Sequence, residues 1–197
     1  MGLWQLDSEH VVSLPCGGAV ACTPAVPSTE GDRHIVVDGR RWRATDPAIP
    51  APLRTELVGE LMAARRAVRA ARGDEVAVAA ARRRVHDAKV ALGERGAPWW
   101  EPAPAEKHRE RVAATVRALL RHRPVGATIC PSDVARAVSS PDWRPALPTV
   151  RAVAVEQAGD DEIVVLQRGA PVPSPADARG PLRYGRGASF PDPPQGG

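Results

Sequence analysis

A chain of 197 residues, 43% hydrophobic and 25% charged, has room for one ordinary domain or two small ones. Five Trp beside one Phe and one Tyr leave Leu, Val and Ala to build the cores, and the net charge of +4 suits an anionic partner, although a chain with no Asn and Lys only at Lys89 and Lys107 owes much of that basicity to GC-rich coding. No run approaches the roughly 18 to 20 uncharged apolar residues of a membrane span, and Asp7 and Glu9 stand where an export signal carries basic residues, so a cytoplasmic protein without a membrane partner is expected.

Residues 1–32 hold Pro15, Pro24 and Pro27 with Gly17, Gly18 and Gly31, show no sustained period, and read as disordered. Cys16 and Cys22, with His10 and His34, offer four ligand atoms. Their spacing fits neither a CxxC redox pair nor a zinc knuckle, so no metal and no cofactor is expected.

Ile35-Val36-Val37, Asp38-Gly39 and Arg41-Trp42-Arg43-Ala44 predict a small β-hairpin around a type I′ turn. Alternation sets Trp42 opposite Arg41 and Arg43, so Trp42 needs an apolar cover. A helix should follow Pro50 and Pro52 and run to about Arg72, with Leu53, Leu57, Leu61, Ala64, Val68 and Ala71 on one face. After Gly73, Asp74 can cap a second helix carrying Val78, Ala81, Val85, Ala88 and Leu92, which ends at Gly93. Together these make an antiparallel helical hairpin with a coiled-coil-like seam. Trp99 and Trp100 should fold back on it or on Trp42, because two bare indoles in water are costly. The alternating prolines of 101–105 read as a semi-rigid linker between a domain at 33–100 and one at 106–184.

Residues 106–123 are helical by spacing, with Val112, Val116, Leu119 and Leu120 on one face and Lys107, Arg109, Arg111 and Arg117 over the rest. Pro131 at a first helical position and Asp133 in the first turn begin a second helix over 131–138. A third is predicted from Asp142, its candidate cap, to about Gln157, with Leu147, Val150, Val153 and Ala154 inward. Pro148 either kinks it or begins its main body. A strand over 163–167, a turn at Arg168-Gly169, a Pro-rich loop and a return strand at 182–184 complete a winged helix-turn-helix. Past Gly185 a disordered tail is expected. The fold class is thus mainly α with small β elements.

Thr128-Ile129-Cys130-Pro131-Ser132-Asp133-Val134-Ala135-Arg136-Ala137, Trp143-Arg144-Pro145, Pro148-Thr149-Val150-Arg151, Gln167-Arg168-Gly169, Pro171-Val172 and Ala178-Arg179-Gly180-Pro181-Leu182-Arg183 resemble a bacterial family of unknown function. The resemblance covers about 40% of the chain and implies a winged-helix fold without an activity. Residues 38–47 and 87–96 look like short proteins of GC-rich bacteria labelled biopolymer transporter Tol. A transport component of that type needs a membrane anchor, which no apolar run here supplies.

In such a domain the start of the third helix meets the major groove, making Arg144, Thr149 and Arg151 candidates for base contact and Arg109, Arg136, Arg168 and Arg183 candidates for phosphate contact with double-stranded DNA. The alternative is that these arginines solvate exposed faces and the domain binds protein. Trp143 reads as a core or cap residue rather than a base-stacking one. Residues 33–100 carry 14 basic against 8 acidic residues, whereas 106–184 carry 12 against 9, so the hairpin is the more basic half. Its arginines could add nonspecific phosphate affinity, or the hairpin could dock a protein partner or a second copy. His86-Asp87 and the 108–110 stretch lack a nucleophile or a phosphate loop, and no enzyme is expected. Cys130, near a helix N-terminus, is a reactive thiol only as a minor option beside a buried or capping role.

Overall fold

A computed structural model describes residues 33–191; the segment expected to be disordered at 1–32, with His10, Cys16 and Cys22, lies outside the described residues. The described chain is mainly α with small β elements. Strands β1 (His34–Val37) and β2 (Arg40–Arg43) pair antiparallel with Ile35 opposite Trp42 and Val37 opposite Arg40. Asp38 and Gly39 both take positive φ, 50° and 70°, as a two-residue type I′ connection requires.

Helix α1 (Ala51–Ala70) buries Leu53, Leu57, Leu61 and Ala64, the first four of the six predicted positions; Val68 is half-buried, and Ala71 lies just past the end of the helix. Asp74 caps α2 (Glu75–Ala91), its carboxylate accepting from the Ala77 amide at 2.9 Å. Trp99 does fold back: its indole N–H donates to the Ala44 carbonyl at 3.0 Å, and its ring meets Trp100 edge-on at 5.0 Å. Trp42 does not receive the expected apolar cover. It stays 45% exposed beneath the Lys89 ammonium, 5.2 Å from the ring centre, because the leucines of α1 face inward instead.

Helix α3 (Ala105–His122) occupies the centre. It touches α1 and α2 on one side and α4 and α5 on the other. Val112, Ala114, Thr115, Val116, Ala118, Leu119, Leu120 and Arg121 are all buried, so the helix has no wide solvent face. One continuous cluster joins Leu57, Leu61 and Ala88 of the helical hairpin to Val116, Leu119, Val134, Val150, Ile163 and Tyr184. The predicted boundary at 101–105 is exposed up to the start of α3, and the helices on either side share that cluster.

Helix α4 (Pro131–Ser139) starts with its Asp133 carboxylate accepting from the Cys130 amide at 3.3 Å. The third predicted helix divides into a 3-10 turn (Arg144–Ala146) and α5 (Leu147–Gly159). Pro148 sits in the first turn of α5, where a missing N–H leaves nothing unpaired, so the kink is not needed. Asp142 is not the cap; Trp143 precedes the 3-10 turn, and its carbonyl takes the Ala146 amide at 3.1 Å. Val150, Val153, Ala154 and Gln157 are buried, which shows tertiary burial overriding the weak helix propensity of this β-branched stretch.

Strand β3 (Ile163–Gln167) lies between β4 (Ala170–Pro171) and β5 (Arg183–Arg186), and Ile129 adds a bridge to Tyr184. The tail expected from 185 does not begin there. Gly187 and Ser189 amides donate to the Glu162 and Asp161 carbonyls at 2.9 Å, and Phe190 packs against the core.

Tyr184 is 1% exposed, and its hydroxyl has no hydrogen-bond partner among the described residues. Burial pushes the phenol well above its usual pKa. Tyr184→Phe is therefore expected to stabilise the protein by about 1 kcal/mol, read as a higher urea midpoint at pH 7. A folded pKa above the unfolded value, near 10, means the unfolded phenol ionises first, so wild-type stability should fall as pH rises past about 10. The Phe variant should lose less over that range. A variant less stable than wild type at both pH values would overturn the reading of an unpaired hydroxyl.

Candidate nucleic-acid interface

Most arginines of α3 are engaged inside the protein. Arg111 reaches the Asp46 carboxylate at 2.8 Å and the Ala91 and Ala137 carbonyls at 3.4 Å. Arg117 grips both oxygens of Asp87 at 3.1 Å and Glu162 at 3.3 Å, while Arg121 holds Asp87 at 2.6 Å. Arg123, which follows α3, binds Glu56 at 2.8 and 3.1 Å and Asp133 at 3.3 Å. In the helical hairpin, Arg84 makes a bidentate pair with buried Glu60 at 2.8 and 3.0 Å. Burial alone would lower the pKa of Arg117, but the hydrogen bonds and charge of Asp87 and Glu162 outweigh it and raise it. Arg111 and Arg117 are thus internal ties rather than surface decoration. Arg109, a predicted phosphate contact, pairs with Glu156 of α5, so its charge is already matched.

The arginines around the start of α5 and the small sheet are placed differently. Arg136, Arg144, Arg151, Arg168, Arg179 and Arg183 have no carboxylate partner among the described residues. Arg136, from the last turn of α4, and Arg144, from the 3-10 turn, both lie over the Trp143 ring, at 4.6 and 4.8 Å from its centre. Trp143 itself is half-buried and packs against the core, which fixes the ring on which both guanidinium groups rest. A stacked guanidinium keeps its in-plane N–H groups available for a phosphate.

Thr149 is half-buried in the first turn of α5, and Arg151 donates to the Gly180 carbonyl at 3.1 Å. Arg183 in β5 donates to Thr128, to the hydroxyl and, at 2.9 Å, to the carbonyl. Arg168, at positive φ in the turn between β3 and β4, is exposed. Between α5 and the 173–180 loop runs an open groove of about 460 Å³, lined by Pro148, Ala152, Val155 and Ala178 together with Arg151, Arg179 and Glu156. Arg136, Trp143 and Arg144 therefore form one cluster, and Arg151 and Arg179 share a second with Glu156, whose carboxylate Arg109 holds.

Residues 109–187 match a family model described as a protein of unknown function (DUF3253). The C-terminal half thus contains a domain of unknown function. The match begins within α3, ends just past β5, and so includes every residue of both arginine clusters. No curated protein matches the chain. No helix among the described residues is long and apolar enough to cross a membrane.

Sequence reasoning missed Arg179, the acids that hold the α3 arginines, and Glu60, which holds Arg84 of α2. A signal was present for Glu60 and Asp87. Glu60 falls three residues after Leu57 and beside Leu61, and Asp87 stands beside Ala88, so each carboxylate lies on a buried stripe where only a paired charge is tolerated. Cys130 is half-buried and accepts from the Ser132 hydroxyl at 2.9 Å.

Proposed function

We propose that the chain is a cytoplasmic protein whose residues 105–186 form a winged helix-turn-helix that binds double-stranded DNA, acting by binding rather than by catalysis. The order α3, the Ile129 bridge, α4, α5, β3, loop, β5 matches the sequence of elements in that architecture. Fold alone does not establish function. The observation that carries the reading is the division among the arginines: those of α3 are neutralised by carboxylates, whereas six around α5 and the sheet are not. Arg136, Arg144 and Arg183 are assigned to phosphates, and Thr149 and Arg151 to base edges. Arg151 must then exchange the Gly180 carbonyl for a base.

The test is titration of the full chain with a mixed-sequence duplex across salt concentrations. The observed association constant should fall log-linearly, with a slope of about −0.9 for each phosphate neutralised. No binding at roughly 50 mM salt, where nonspecific contacts are strong, sinks the proposal.

A further inference from the structure

A second group of unmatched arginines lies on the helical hairpin, outside the segment that matches the family. Arg65 and Arg69 of α1, Arg82 of α2 and Arg95 of the following loop rim an open groove of about 460 Å³, and Val68 and Val85 form its floor. No acidic residue lines it. Arg65, Arg69 and Arg82 have no carboxylate partner among the described residues, and Arg95 meets only the His86 ring at 3.1 Å. This contrasts with Arg84, which directly precedes Val85 in α2 and whose charge is matched by Glu60.

We propose that this groove binds an amphipathic helix of a protein partner that carries carboxylates beside an apolar strip. Two antiparallel helices leave a furrow that a third helix fills when ridges fit grooves. Here the furrow offers cations at its edges and branched aliphatic side chains along its floor. Arg65 and Arg69 are four residues apart, one turn on the same face, so the partner's carboxylates should also repeat at a spacing of three or four. Its apolar residues, placed between them, cover Val68 and Val85. A phosphodiester chain would satisfy the rim and leave the apolar floor unused, which is why a peptide is the favoured occupant. This inference is independent of DNA binding by α5.

The full-length chain is titrated with three synthetic helical peptides of equal negative charge: one with a Leu strip flanked by Glu, one with the Leu residues changed to Ser, and one with the same residues scrambled. The first should bind at least about tenfold more tightly than the others. Arg69→Gln with Arg82→Gln should weaken it by about tenfold or more while changing affinity for the mixed-sequence duplex less than twofold. Both side chains are exposed, and an unchanged helical circular dichroism spectrum confirms that the variant folds. Equal affinity for all three peptides, no peptide binding at low salt, or loss of duplex affinity matching the loss of peptide affinity would each overturn the proposal. Failure of the duplex to bind the wild-type chain, with the peptide pattern intact, counts against the α5 reading alone.

Discussion

Asp87→Asn is expected to destabilise the protein by about 3–5 kcal/mol, because it leaves the buried Arg121 guanidinium and the part-buried Arg117 guanidinium facing a neutral amide. Asp87 has a side chain only 9% exposed and binds Arg117 and Arg121, the latter 2% exposed. Arg121 keeps the Pro191 carbonyl, at 3.3 and 3.2 Å, and Arg117 keeps Glu162, which places the effect nearer the lower end of the range. With a urea dependence of about 2 kcal/mol per molar, the midpoint should drop by roughly 1.5 M or more. Replacing the triad by similarly sized apolar side chains should restore much of the loss, since the carboxylate offsets a desolvation cost that the apolar set never incurs. A loss below about 1 kcal/mol for Asp87→Asn would mean that solvent screens the triad.

Trp143→Leu should weaken duplex binding by roughly tenfold without changing the slope of affinity against salt. Each arginine resting on an exposed ring face gains about 0.5–1 kcal/mol, and immobilising a freed arginine at an interface costs a further 0.5–1.5 kcal/mol. Arg136 and Arg144 remain able to reach phosphates in the Leu variant, so the number of released counterions stays the same. Arg136→Gln with Arg144→Gln removes the contacts themselves, and the slope should then become shallower by about 1.8. Trp143→Phe keeps a ring face and should recover part of the affinity. Unchanged binding in Trp143→Leu would reduce Trp143 to a core residue.

Local structure was legible in the chain wherever one residue type has one physical job. Asp38-Gly39 takes the positive φ pair, Asp74 caps α2, and the 163–167 run is β3 to the residue. The central position of α3 was not legible. Lys107, Arg109, Arg111 and Arg117 gave it the pattern of a surface helix, yet two of those four arginine and lysine side chains turn inward to acids that lie 30 and 65 residues away. No periodicity encodes such a pairing, because it depends on how helices meet. Pro102 and Pro104 likewise reported an extended exposed segment without indicating what the helices beside it touch. For the candidate interface, composition pointed to arginine, but Arg136 and Arg109 looked alike, and Arg144 stood apart as a base contact, until Trp143 drew Arg136 and Arg144 together and Glu156 took Arg109.

The central place of α3 bears on every related sequence that shares the segment from Arg109 onward. Its flank toward α1 and α2 is covered in this chain by Leu57, Leu61 and Ala88, with Asp46, Asp87 and Glu56 answering Arg111, Arg117, Arg121 and the adjoining Arg123. A relative without the helical hairpin would have to solve the same problem by other means, with a more polar flank, a different helix or a second subunit. Substitutions in α3 should therefore track those in the hairpin, so that inheritance couples two parts of the chain that the family match separates.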